Sequence, residues 1–177
     1  MNYENMKFLK MFPMILILLG ITPFMDLSYA ESKTPDEFKV LSSANKKLSI
    51  SSVRDYLMEG DTLVEKGDFE KAKQTYDKAR SLARQLAGFY RDLNGSFKGL
   101  DARIPREMDK KGRKSIKIWA QSNARLASLY IRKKQSEVAV PLLVEIVRLM
   151  TPNSPEGKEA YENLLQLGFV DTTYKGF

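Results

Sequence analysis

The 177-residue chain contains no cysteine and no histidine. Without cysteine no disulfide can form, no thiolate nucleophile exists, and a bacterial lipoprotein anchor is excluded. The core must hold itself. Without histidine, the side chain that most often serves as acid, base or metal ligand near neutral pH is missing. Metal binding would fall to carboxylates alone, and no calcium-loop spacing occurs. No cofactor motif is present either. No pair of Asp or Glu is singled out as the flanking carboxylates that sugar cleavage requires. The chain reads as non-enzymatic, with catalytic, cofactor and metal residues all empty classes.

Long hydrophobic runs are also scarce. The one apolar stretch, Met11 to Met25, falls short of the roughly 20 residues a spanning helix needs, and Pro13 and Pro23 interrupt it. Lys7 and Lys10 precede it and Ser28-Tyr29-Ala30 follows. That order of basic, apolar and small residues is the layout of a cleavable signal peptide over 1–30, cut after Ala30. No twin-arginine pair accompanies it, which favours the general secretory route. The expected location is therefore exported, in a periplasm or equivalent lumen. An uncleaved segment anchoring the chain to a membrane is the alternative. An exported domain of this size without disulfides fits a bacterial or plastid-lineage setting better than a secreted eukaryotic one.

Charge is spread unevenly. Residues 31–96 hold 12 basic and 11 acidic residues, and 135–177 hold 3 and 6. Residues 97–134 hold 12 basic and 3 acidic residues, a net charge of +9 that exceeds that of the whole chain. Arg106, Lys110, Lys111, Arg113, Lys114 and Lys117 form its densest part. Such a patch suits an acidic protein surface or anionic lipid headgroups. Nucleic acid is disfavoured, because no aromatics are interleaved to stack bases. A solvated helix face explains the same charges without any partner.

Residues 31–51 read as a polar linker, with one helical turn near Phe38 to Leu41. Residues 52–168 read as one helical domain of about five helices. Ser52 and Asp55 suit a capped start for the first helix, and Gly67 its end. Asp68 caps a second helix whose apolar series Ala72, Tyr76, Ala79, Ala83, Leu86, Tyr90 and Leu93 alternates steps of four and three. Asn94-Gly95 is expected to stop it. A third helix opens near Pro105 and is weakened at Gly112 by about 1 kcal/mol. The fourth, about 137–150, is apolar nearly all round and reads as buried on several sides. Ser154-Pro155-Glu156 starts a fifth that ends at Gly168. Residues 169–177 read as a loose tail.

Two stretches share a packing pattern. The first carries Tyr56, Gly60 and Leu63, then Phe69, Ala72, Tyr76 and Ala79. The second carries Asn123, Leu126, Ala127 and Tyr130, then Ala139, Leu143 and Ile146. This resembles the tetratricopeptide (TPR) repeat, in which small residues let two antiparallel helices approach and large ones fill the gap to the next pair. The second unit lacks the opening aromatic and the turn glycine. The resemblance implies an all-α fold of TPR-like stacked helical hairpins. It also implies a concave groove that holds a protein or peptide partner. Carried over by position, the groove residues would be Arg54, Leu57, Asp61 and Val64, with Gln121, Arg125, Ser128 and Arg132. Chaperone-binding TPRs grip a carboxylate with Lys and Asn where this chain has Leu57 and Asp61, so that activity is disfavoured. The sequence thus points to an exported interaction module, with electrostatic docking through 98–134 as the alternative.

Overall fold

The computed structural model describes residues 47–176. The expected signal segment at 1–30 lies outside the described residues, as do the turn expected at 38–41 and most of the 31–51 linker. Five helices occur among the described residues: α1 (Ile50–Glu65), α2 (Phe69–Ser96), α3 (Arg103–Arg132), α4 (Ser136–Met150) and α5 (Pro155–Gln166). No helix among the described residues is long and apolar enough to cross a membrane. Each helix packs on its chain neighbours, and α1 also meets α3. The fold is the expected all-α, TPR-like stack of helical hairpins.

The helix starts follow capping chemistry. Ser49, not Ser52, caps α1: its Oγ accepts the Ser52 N–H at 3.1 Å. The earlier start turns Ile50 and Val53 into the core, and Val53 is fully buried. Ile50 and Ser51 thus belong to the helical body rather than to the linker. Asp68 caps α2 as expected, accepting the Lys71 N–H at 3.2 Å. Ser154 caps α5, accepting the Gly157 N–H at 2.9 Å, with Pro155 in the first turn.

Asn94-Gly95 marks the end of α2 to within a residue or two, and the weak helix former Gly112 does not break α3. α2 runs through Asn94-Gly95 to Ser96, and the Asn94 side chain donates to the Pro105 carbonyl at 2.9 Å, tying the α2–α3 hairpin together. α3 continues through Gly112, which sits beside Tyr90 of α2 at ordinary contact distance.

Two burial expectations are corrected. Among the described residues α4 packs chiefly on α3 and α5, so Ala139, Leu142, Leu143 and Ile146 are buried while Val138 and Val144 stay exposed. Between α2 and α4 lies an open cleft of about 610 Å³. The tail is also more engaged than expected. Tyr161 donates to the Thr172 carbonyl at 2.7 Å, and Tyr174 packs edge-on against Tyr161 with ring centroids 6.2 Å apart.

α1, α3 and α5 end in the same way. Beyond each helix the Asp68, Gln135 and Phe169 N–H groups donate back to the Leu63, Tyr130 and Leu164 carbonyls at 2.9, 2.9 and 3.0 Å. Gly67, Lys134 and Gly168 stand at the left-handed position, with φ of 78°, 55° and 75°. Their numbers differ by 67 and then 34. These steps match about two periods and one period of the 34-residue repeat. α1–α2 and α3–α4 therefore form two hairpins with matching turns, and α5 ends with the same motif one period later.

Candidate functional site

Three first helices, α1, α3 and α5, share one side of the molecule. A cleft of about 400 Å³ opens between α1 and α3, where Asp61, Val64 and Glu65 face Arg125, Ser128 and Arg132. A second, of about 250 Å³, opens between α3 and α5, where Gln121, Arg125 and Ser128 face Glu156, Glu159 and Asn163. Ala124, Arg125 and Ser128 line both. The two clefts therefore form one groove with α3 as its floor.

Six of the eight expected groove residues lie here: Asp61, Val64, Gln121, Arg125, Ser128 and Arg132. Arg54 is exposed but lines neither cleft. Leu57 is corrected. It is 4% exposed and belongs to the core rather than to either cleft. Met58, one residue on, takes the open face at 63% exposure. It stands nine residues before Gly67, as Arg125 stands nine before Lys134.

A polar cluster fixes the groove at Arg125. Its Nε donates to both Asp61 carboxylate oxygens, at 2.9 and 3.1 Å. The Tyr76 hydroxyl donates to Asp61 Oδ1 at 2.6 Å from below. Burial pushes the Tyr76 phenol well above its usual range, and the bond to the Asp61 carboxylate adds to the shift. Both Asp61 and Arg125 keep more than a third of their side-chain surface in water. Their pairing is therefore of the weak, exchangeable kind, open to an incoming charged group.

A second polar cluster lies behind the floor. Asn123 is fully buried. It accepts from Arg80 Nε of α2 and donates to Glu145 of α4, both at 2.7 Å. Arg80 also pairs with Glu145 at 2.7 Å. Asn123 stands 67 residues after Tyr56, so it occupies the aromatic position the second unit lacks. The ring is replaced by a polar bracket that holds α2, α3 and α4 together.

The six residues of the expected basic patch do not act alike. Lys111 pairs with Glu107 at 2.5 Å and leans over the Tyr90 ring at 5.9 Å. Arg113 pairs with Asp109 at 2.6 Å, and Lys117 crosses to Glu156 of α5 at 2.9 Å. The Lys117 ammonium lowers the Glu156 pKa by hydrogen bonding to its carboxylate. Arg106, Lys110 and Lys114 are exposed and form no ion pair among the described residues.

The patch and the groove are not separate surfaces. Arg106, Lys110, Lys114, Lys117, Gln121, Arg125, Ser128 and Arg132 follow one another along α3 at steps of three or four. Steps of that size keep residues on one helix face. The sequence treats these as two sets because the densest run of charge ends at Lys117 while the repeat pattern begins near Asn123.

Residues 56–86, from α1 through about the first two thirds of α2, match the family model for the tetratricopeptide repeat. No curated protein and no solved structure matches the chain. The chain is a TPR-like helical protein.

Proposed function

We propose that the chain is a non-enzymatic interaction module that holds a protein partner in the α1–α3–α5 groove. One observation carries this reading: the two clefts share Ala124, Arg125 and Ser128 and run along the side formed by the first helices of successive units. TPR repeats typically mediate protein–protein contacts. The groove has the features such contacts use. It has small residues on the floor at Ala124 and Ser128 and a charge pair that can exchange. The working compartment we propose is outside the cytoplasm, on the strength of the signal-like residues 1–30. N-terminal sequencing of the exported form then yields Glu31 as the first residue.

Filling the groove tests the reading. Ser128→Trp places a bulky ring where both clefts meet. The wild-type chain, immobilised and exposed to its own exported fraction, retains a partner that Ser128→Trp loses. Ser81→Trp, at an exposed α2 position lining neither cleft, retains it. Equal retention by both variants would rule the groove out.

A further inference from the structure

α2 and α3 are longer than the helices around them. They have 28 and 30 residues against 16 in α1, 15 in α4 and 12 in α5. Two contacts fix the alignment. Asp61 of α1 meets Arg125, and Glu156 at the start of α5 meets Lys117. α1 begins eleven residues before Asp61, level with about Lys114, and α5 begins level with about Lys117. α4 runs back from the other end of α3 and covers about half of its length. The α2–α3 hairpin from about 85 to 113 therefore stands beyond the body as a two-helix arm. At 1.5 Å per residue it projects by about 16 Å.

Ion pairing within the arm leaves a positive remainder. Residues 85–114 hold eight basic and four acidic residues. Each acid is paired locally: Asp92 with Arg91, Asp101 with Arg103, Glu107 with Lys111 and Asp109 with Arg113. Lys98, Arg106, Lys110 and Lys114 remain, exposed and without an ion-pair partner among the described residues. The cleft on the arm, about 210 Å³ between Tyr90, Met108 and Ile116, is lined by none of the four. They do not converge on one small anion there and face solvent instead.

Leu100 stands in the turn at the end of the arm, two residues after Lys98 and six before Arg106. It is 80% exposed, more than any other large apolar side chain among the described residues. Its N–H donates to the Phe97 carbonyl at 3.1 Å, which closes the turn that carries it. An apolar tip flanked by free cations suits the boundary between lipid and water, where apolar atoms leave water and cations meet anionic headgroups. The carboxylates of the groove walls do not cancel this charge. Glu156 and Asp61 are level with Lys117 and Arg125, about 16 and 28 Å along α3 from Arg106. Charges are screened beyond about 8 Å at physiological ionic strength, so the end of the arm acts as a cationic body of its own. A second copy of the arm would bring like charge against like.

We propose that the arm docks on an anionic bilayer, with Leu100 entering the interface and Lys98, Arg106, Lys110 and Lys114 meeting its phosphate headgroups. The groove lies behind the root of the arm and stays open to its own partner. The docking therefore stands independently of the groove reading.

The test reads the tip locally, because residues 11–25 are themselves apolar and retention of the whole chain by vesicles does not report on the arm. Leu100→Trp places an indole at the tip, and Trp119, packed against the core, supplies a constant background. The full chain carrying Leu100→Trp is titrated with phosphatidylglycerol vesicles, phosphatidylcholine vesicles and polyphosphate. Phosphatidylglycerol shifts the tip emission to the blue, phosphatidylcholine does not, and added salt reverses the shift. Adding Arg106→Glu, Lys110→Glu and Lys114→Glu raises the lipid needed for half the shift by about tenfold or more. Glutamine at the same three positions raises it less, and helicity is unchanged in both. No shift with phosphatidylglycerol would overturn the docking. Equal shifts with both lipids, or a shift that ignores the charge variants, would do the same. Charge-dependent binding of polyphosphate, with the emission unmoved by vesicles, would make the arm a polyanion site instead.

Discussion

Gly60 of α1 lies so close to Tyr76 of α2 that a Cβ on Gly60 would stand 2.5 Å from the ring Cδ1. The glycine is required by space, not by backbone freedom. The helix pair can approach only because that side chain is absent, and the approach puts the Tyr76 hydroxyl under Asp61. Gly60→Ala is expected to destabilise the fold by about 1–3 kcal/mol through overpacking. Urea unfolding measures it. Tyr76→Leu in the same chain should recover part of the loss, giving a coupling of more than about 0.5 kcal/mol.

Tyr76 also sets a pH dependence. Its folded pKa is raised, chiefly by burial, above the unfolded value near 10.0. Its contribution to stability is complete below that pH and is lost as pH rises towards the folded value. The urea midpoint should therefore fall above about pH 10. Tyr76→Phe should flatten that fall, after losing about 1 kcal/mol at neutral pH with the Asp61 hydrogen bond.

Leu143 is 2% exposed and Val144 is 42% exposed on the same helix. Leu143→Ala should cost about 2–5 kcal/mol by opening a cavity. Val144→Ala should stay within about 0.5 kcal/mol. Comparable losses at both positions would mean that α4 is covered on the α2 side as well.

Lys134 holds a left-handed φ of 55° where α1 and α5 use glycine. Lys134→Gly should stabilise by about 0.5–1 kcal/mol, because relief of the strained backbone exceeds the added freedom of the unfolded chain. Thermal unfolding decides it. A loss of stability would mean that the lysine side chain matters more than its backbone.

The same residues explain how much could be read beforehand. The first unit was legible because Gly67 and Asp68 mark a turn that only a few residue types make well. The second unit forms the same turn with Lys134, so the composition signal vanished while the hydrogen bonds remained. Asn123 hid the second repeat further, since a buried polar bracket reads as a departure from an aromatic pattern. The starts at Asp68 and Ser154 and the all-helical fold came from caps and apolar spacing, whereas the start of α1 fell at Ser49 rather than Ser52. Leu57 was misplaced by one residue, which on a helix is enough to move a side chain from groove to core. The union of patch and groove was not legible, because it depends on how far α1 and α5 extend along α3. The two sets proved to share a face only once those walls were in place.

The central claim is that a partner lies against the α3 floor. Photo-crosslinking tests it most directly. A photoreactive residue at Ser128 should cross-link one protein from the exported fraction, while the same residue at Ser81 should not. Equal cross-linking from both sites, or none from Ser128 while the partner is still retained, would contradict the account.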